Sequence, residues 1–554
     1  MPIDNKILNL ILEQNGIDIK NQTEVDSFLT PDYASIAKTY EKFKDMTVHA
    51  CGQVESTILD FDGNICVYGD FDVDGITATS IMYRTLKYLG AKRCTYYIPD
   101  RVKENHGLNR SALTDIAARG TKLLITVDCG INQRQEVEYA RHLGMDVIVT
   151  DHHPPGETPV IPHYDIMKPL CFVLTTPEEL KTEFSGAGIA FKFAQALCTR
   201  HQKPYFAESL LWLACLGTIV DCVPQHNENR TICVLGMRQL NEKTPACIRA
   251  IALNSGMERP IEKKDITWNI SPRLSSASRL QKKTAAEILM LPENDTKKIM
   301  EKANTLEMIN DTRKEIVKKQ LSLIKEDIVT KHGYIVVVMD KTAHSVGIQG
   351  LLASMLCSQH NQTAFVFTDV GDGILHGSCR ANSECNITEV IRLAHEKNLL
   401  IEGGGHVAAG GLSMYIENLQ DLKEIINQGV HSLFMVGEKP TIPIPLPGNE
   451  INMDLFYSLR TLDPYPDGDS PLFSTIFILG DDAKQIGSDK SHLSFNVRYD
   501  QNSFRVLAFG KGHRIQDFSD LPSGQQVKVI YRLMLNTWQN KRDLELQAED
   551  FIML

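Results

Sequence analysis

Asp70, Asp72 and Asp74 fall at alternate positions after an apolar run at 65–69, and Asp128, the triplet Asp151-His152-His153 and Asp221 each close another short apolar run. Carboxylates gathered in one crevice repel each other and stay protonated unless cations neutralise them, so the pattern predicts a divalent metal pair. Two of the first three acids can ligate, while Asp70 can instead orient a ligand. A mixed carboxylate and imidazole set without thiolates suits Mn²⁺, and tolerates Mg²⁺ as a poorer substitute where histidine binds. Two such ions about 3.5–4 Å apart activate water and hold both the attacking and leaving oxygens of an in-line phosphoryl displacement. Asp128, alone at the end of its run, is the natural bridge. Adjacent histidines at a strand end cannot both face one ion, so His152 is expected as ligand and His153 as the phosphate or leaving-group contact.

Positioning these groups requires a scaffold that brings the ends of separate segments together. The four runs, 65–69, 123–127, 147–150 and 216–220, alternate with helical stretches and read as buried strands of a largely parallel α/β sheet, whose carboxyl ends share one rim. The stretch 76–89 carries Ile81, Met82, Thr85, Leu86 and Leu89 on one helical face, with Gly90 at its end. Residues 1–45 form an N-terminal helical segment and 46–292 the first α/β domain. A single connecting helix is expected over 293–331, where apolar residues recur at helical spacing among lysines and glutamates. A second α/β domain occupies 332–436 and contains the glycine-rich segment around His406, read as a loop whose backbone N–H groups can form an anion nest. After a Pro- and Gly-rich linker, 449–554 alternates apolar and polar residues as a small β-barrel does. Its candidate stacking aromatics are Phe495, Phe504, Phe509, Tyr531 and Trp538, most of them expected in the core.

At 554 residues the chain exceeds one core. The balance of 58 Lys+Arg against 69 Asp+Glu excludes a generally basic nucleic-acid binder and leaves room only for a local cationic groove. Its 13 cysteines contain no C-x-x-C pair, a usage that fits a reduced, cytoplasmic setting. No stretch approaches the roughly 18 apolar residues of a membrane span.

Val67 to Gly75, Thr126 to Gly130, Asp151-His152-His153 and Gly217 to Asp221 resemble, in this order, the four motifs of the DHH phosphoesterases, and the segment around His406 resembles their DHH-associated domain. Within that family the resemblance is to the RecJ-type exonucleases. It extends to the stretches at 28–31, 44–46 and 186–192 and to a C-terminal barrel similar to an OB-fold. The resemblance implies a parallel-sheet DHH domain, a second α/β domain joined to it by a long helix, and a C-terminal OB-like barrel at 449–554. It implies single-stranded-DNA-specific 5′ to 3′ exonuclease activity in DNA repair and recombination, two Mn²⁺ ions, and a single-strand-binding protein and a helicase as partners. It marks Asp72, Asp74, Asp128, His152 and Asp221 as metal ligands, Asp70 as the acid beside them and His153 as a phosphate contact. Arg101, Ser378 and Arg380 resemble a 5′-phosphate pocket, Arg273 and Arg279 resemble strand contacts, and His406 is expected to approach substrate.

The chain departs from the family pattern at Ser275 to Ser278, where Asn-Ala-Ala-Gly is usual, near His106, where a Tyr is usual, and near Asp467 to Pro471, where a Gly-Asn-Pro turn is usual. These departures bear on substrate details. The alternatives are a relative acting on short oligoribonucleotides or cyclic dinucleotides, and a catalytically inactive replication scaffold, against which every expected ligand is present.

Overall fold

The computed structural model describes all residues except 1–5, 105, 157, 165–168, 177–181, 258–259, 325–332, 343–344, 383–384, 432–441, 466–469, 481, 488–489, 520, 523 and 537–541. Trp538 and the departure at 467–469 therefore lie outside the described residues. Two compact units are present, one of residues 31–436 and one of residues 1–30 with 437–554. Helices α1 (Lys6–Gln14) and α2 (Gln22–Leu29) belong to the latter, and α3 (Tyr33–Leu59) opens the former. The boundary expected near residue 45 falls inside α3, because Asp32 caps that helix through Ser35 N and nothing interrupts it before Asp60.

In the larger unit, β1 (Asn64–Tyr68), β2 (Arg93–Tyr97), β3 (Leu123–Val127), β4 (Asp146–Thr150) and β5 (Cys171–Leu174) form an all-parallel sheet in the order β2-β1-β3-β4-β5. The crossovers between its first four strands are α4 (Val73–Tyr88), α5 (Arg110–Ala118) and α6 (Arg134–His142). Every residue of β3 is buried, which is why its sequence is a continuous apolar run. Strand order reverses between β1 and β3, and at such a switch point the loops after the strands part to leave a crevice.

A helical layer follows: α7 (Gly186–Arg200), α8 (Pro204–Glu208), α9 (Leu211–Val220), α10 (Asn227–Glu242), α11 (Ala246–Ser255), α12 (Lys263–Asp265), α13 (Ser271–Arg279), α14 (Thr284–Met290) and α15 (Thr296–Leu323). The fourth apolar run is thus helix α9 and not a strand. Leu211 to Ile219 are buried throughout, and a segment buried on all sides has the same composition in either conformation. The connecting helix α15 is capped by Asp295 and buries Ile299, Ala303, Leu306, Asn310 and Val317 along one side.

The second sheet has the order β6-β7-β8-β10-β9, with β6 (Tyr334–Met339) parallel to β7 (Thr363–Gly371) and the other pairings antiparallel. Helix α16 (Ser345–His360) links its first two strands, and α17 (Ile387–Glu396) connects β8 (Ile374–Arg380) to β9 (Leu400–His406). The glycine-rich segment is the hairpin of β9 with β10 (Ala409–Tyr415) and not an irregular loop. A Cβ on Gly403 would stand 3.1 Å from Ile391 of α17 and one on Gly410 2.8 Å from Ile387, so the missing side chains let the helix approach the strands.

The smaller unit is a seven-stranded sheet of β11 (Ile444–Pro445), β12 (Phe473–Leu479), β13 (Lys484–Ile486), β14 (His492–Tyr499), β15 (Asn502–Ala508), β16 (Gln526–Asn536) and β17 (Asp543–Met553). Strand β12 pairs with both β16 and β14, which curls the sheet into a barrel. Ile7, Leu8, Ile11 and Leu12 of α1 join the core that contains Phe473, Phe495 and Tyr531. Phe504 is buried too, and Phe509 is half-exposed. No described helix is long and apolar enough to cross a membrane.

Candidate metal centre

After β1 the chain turns directly into α4. Asp72 is the cap of that helix, its Oδ1 accepting from Gly75 N at 2.9 Å, and Asp74 lies in the first turn. The acids converge because a strand becomes a helix, not because they alternate along a strand. Gly75 has no room for a Cβ, which would come within 2.6 Å of Asp70 Cβ. Asp74 accepts from Gly186 N at 2.6 Å and Ala187 N at 2.9 Å at the start of α7, where the helix dipole favours a carboxylate. Asp128 follows β3 with φ 59°, a left-handed conformation that Asp adopts more readily than most residues. Its Oδ1 lies 3.2 Å from His152 Nε2, which is 3.8 Å from Asp221 Oδ2 at the end of α9. Cβ atoms on Gly186 and Gly217 would overlap Asp128 and Asp74, so both glycines are needed for the carboxylates to enter.

Among the described residues three groups of donor atoms each lie within 4.8 Å: Asp128, His152 and His153; Asp74, His152 and Asp221; and Asp70, Asp72 and Asp128. Asp128 and His152 each belong to two of them.

Two orienting residues escaped the sequence reading. Asp151 accepts from Ile131 N through Oδ2 and, through Oδ1, from His152 N at 2.8 Å, with His153 Nδ1 at 2.7 Å from the same oxygen. Its place before the histidines was visible, but spacing carries no information about which way the carboxylate turns. His106 Nδ1 lies 2.9 Å from Asp70 Oδ1. No periodic signal marks His106, which comes from an irregular turn.

Burial, followed by the charges of Asp74 and Asp72, pushes the Asp221 carboxyl up to about 9. Burial with Asp70 and Asp74 takes Asp72 to about 6, and Asp74 and Asp128 are raised as well, by burial first. For Asp70 burial works upward, but the His106 charge and hydrogen bond outweigh it and hold the carboxyl below its ordinary value. The Asp70 carboxylate in turn raises His106 to about 9. Burial lowers His152, favouring the neutral imidazole that ligates metal. Asp128 Oδ1 is buried and receives no hydrogen bond. Crowded carboxylates, a neutral imidazole and an orphaned carboxylate oxygen together fit a pair of divalent cations with oxygen and nitrogen ligands.

Beside the acids lies a basin of arginines. The Arg101 guanidinium stands 4.8 Å from the centre of the Phe71 ring. Arg380 and Ser378 project from β8 beneath α16, where a Cβ on Gly350 would sit 3.4 Å from Arg380 Nη2 and 3.8 Å from Ser378 Oγ. Arg279 of α13 donates through Nη1 to Gly347 O at 3.3 Å. Burial lowers Arg279 well below its ordinary value, and the charges of Arg101, Arg313 and Arg380 add to the shift. Arg273 is not part of this basin's free charge. It is buried and forks Glu307 of α15 at 2.5 and 2.9 Å, with Nη1 on Asn269 O. The serines that replace the usual family residues bond back to their own helix, Ser276 Oγ donating to Arg273 O and Ser278 Oγ to Ser275 O. His406 is exposed at the end of β9.

Three family models match the chain: the DHH family N-terminal domain over 64–218, the DHHA1 domain over 331–432 and the RecJ OB domain over 442–550. The single-stranded-DNA-specific exonuclease RecJ of Escherichia coli is 30% identical over 515 residues, covering 87% of this chain and 86% of that protein. RecJ of Bacillus subtilis is 31% identical over 88% of this chain, which spans only 61% of that relative's length. The crystal structure of Thermus thermophilus RecJ in complex with Mn²⁺ superposes with a TM-score of 0.76 at 25% identity, covering 98% of this chain and 75% of that one. An exonuclease RecJ bound to manganese matches 70% of this chain and 95% of its own, with a TM-score of 0.57 and 26% identity.

Proposed function

The chain belongs to the RecJ family of single-stranded-DNA-specific exonucleases, and on that premise we propose that it degrades single-stranded DNA from the 5′ end, releasing 5′-mononucleotides. The observation that carries this reading is the sharing of Asp128 and His152 between donor sets, beside an arginine basin. Asp72, Asp74, Asp128, His152 and Asp221 would hold two Mn²⁺ ions, for which Mg²⁺ would substitute less well. When bound, such a pair supplies a water acidic enough to attack at neutral pH and offsets charge on the phosphoryl oxygens.

The chain's own residues do the rest. Asp128, shared by two donor groups, would serve both metal positions, Asp70 is fixed by His106 so that it orients the ligands beside it, and the α7 N–H groups hold Asp74 in place. His153, kept toward its cationic form by Asp151, hydrogen-bonds the scissile phosphate or the leaving oxygen. Arg101, Ser378 and Arg380 receive the terminal 5′-phosphate, whose dianion guanidinium forks match in shape, and that contact sets the direction of digestion. Arg273, tied to Glu307, positions α13 instead of touching the strand, and Arg279 remains the strand contact on that helix.

A nuclease specific for single strands acts on duplex DNA only after the strands are parted, so a helicase and a single-strand-binding protein are the partners this activity calls for. Digestion of single-stranded DNA, duplex DNA, single-stranded RNA and a cyclic dinucleotide, each with and without Mn²⁺, tests the reading. Metal-dependent release of mononucleotides from single-stranded DNA above all others is expected. Turnover confined to short RNA or the cyclic dinucleotide favours the alternative phosphodiesterase reading, and no turnover of any substrate favours the scaffold.

A further inference from the structure

Among the described residues Arg101, Arg279, Arg313 and Arg380 have no carboxylate within ion-pair distance, whereas neighbouring Arg273 is neutralised by Glu307. A terminal phosphate dianion balances two guanidiniums and leaves two positive charges unanswered. The second pair has its own setting. Glu307, Asn310 and Arg313 follow at intervals of three along α15, continuing the face that meets Arg273 of α13. Asn310 is completely buried; its Oδ1 accepts from Arg313 Nη2 at 2.9 Å, and its Nδ2 has no partner among the described residues. The Nε groups of Arg279 and Arg313 are also buried without an acceptor. Buried donors are almost always satisfied in native proteins, and three orphans of one polarity in one place call for an anionic acceptor. Burial and the neighbouring cations depress both arginines, which an arriving anion would reverse.

We propose that Arg279 and Arg313, the latter oriented by Asn310, form a second phosphate subsite that takes an internal phosphodiester of the strand while Arg101, Ser378 and Arg380 take the terminal phosphate. The inference rests on the nuclease reading above and makes the connecting helix α15 part of the substrate site. It also gives product release a direction. A mononucleotide has no internal phosphodiester, so cleavage removes this contact while the next phosphodiester of the shortened strand can move into it.

The test is the affinity of the full chain for a 5′-phosphorylated oligodeoxynucleotide in Ca²⁺, which suppresses turnover, with one neutral methylphosphonate walked through successive internal linkages. In the unsubstituted protein one linkage should be sensitive, losing about tenfold in affinity on neutralisation, the scale of a charge-assisted contact. Arg313→Gln keeps a donor toward Asn310 and removes the charge. It should lower affinity for the all-phosphate strand about tenfold, abolish sensitivity at that linkage, shrink the log–log salt slope by about 0.7 and leave the ratio of 5′-phosphate to 5′-hydroxyl affinity unchanged. Arg313→Lys should recover part of the loss. Should Arg313→Gln fail to fold, Asn310→Asp supplies a carboxylate that pairs with Arg313 and should weaken binding similarly.

Unchanged affinity in the variants, undiminished sensitivity at the same linkage, or selective loss of the 5′-phosphate preference would overturn the subsite, the last by assigning Arg313 to the terminal pocket. Any of these with the unsubstituted protein still degrading single strands leaves the nuclease reading standing. An unsubstituted protein that neither binds nor degrades single strands overturns that reading, and the subsite with it.

Discussion

At the scale of single residues the centre is held together against its own charge. Asp72, Asp128 and Asp221 are raised by burial and by the neighbouring carboxylates, and Asp74 by burial, so the metal-free site is a source of strain that cations relieve. Asp128→Ala should therefore lower hydrolysis by about three orders of magnitude or more while raising the melting temperature of the metal-free protein. Steady-state rates and thermal melts on the same preparation check both, and a near-normal rate contradicts the bridging role. A pH dependence follows from the same groups. Asp221 has an ordinary value of 3.8 and sits at about 9 in the fold, so between these values the folded state holds a proton that the unfolded chain has lost. Stability of the metal-free protein should fall as pH rises through that window, with Asp72 adding to the fall up to about 6. Saturating Mn²⁺ should flatten or invert the slope, since binding requires the deprotonated ligands. Melts over a pH series with chelator or Mn²⁺ read this directly, and a metal-free melting temperature that climbs with pH contradicts it.

At the scale of elements, helix ends bring distant segments to the strand rim. The start of α7 grips Asp74, and the end of α9 delivers Asp221. Gly217 lies in α9 where a Cβ would overlap both Asp74 and Ala187. Gly217→Ala should thus move α9 or Asp74 and weaken Mn²⁺ binding about 10-fold or more, at a stability cost of about 1–3 kcal/mol. Isothermal titration with Mn²⁺ checks it, and unaltered affinity in a folded variant contradicts the packing. Behind the site, Lys192 of α7 is completely buried with Glu228 of α10 at 2.5 Å and Ile36 O at 3.3 Å. Lys192→Met should cost about 3–5 kcal/mol by removing the cation that faces the buried Glu228 carboxylate. Chemical denaturation checks it, and Lys192→Met combined with Glu228→Leu should regain most of the loss.

At the scale of the whole molecule, sequence carried the chemistry further than the scaffold. Three acid-bearing runs were legible as strand ends because β1, β3 and β4 are short, β-branched and buried, and their order placed Asp70, Asp128 and the histidines together. The run before Asp221 was not, because burial on all sides erases the periodicity that separates helix from strand. The glycine segment read as a loop because glycine signals freedom more often than close packing, yet here it admits α17. An amphipathic α1 announces that one face is covered but not by what, and its cover proved to be the C-terminal barrel core. Arg273 carried no local sign that Glu307, 34 residues on, would claim it. In the proposed function a two-metal centre works beside a basin that reads a terminal phosphate. The most direct test compares initial rates on 5′-phosphorylated and 5′-hydroxyl single-stranded DNA in Mn²⁺, for the unsubstituted chain and for Arg380→Ala. A preference of about 10-fold or more for the phosphorylated strand, falling to about one in the variant, is predicted from the loss of a charge-assisted fork. An equal preference in both proteins, or mononucleotides released first from the 3′ end, would contradict it.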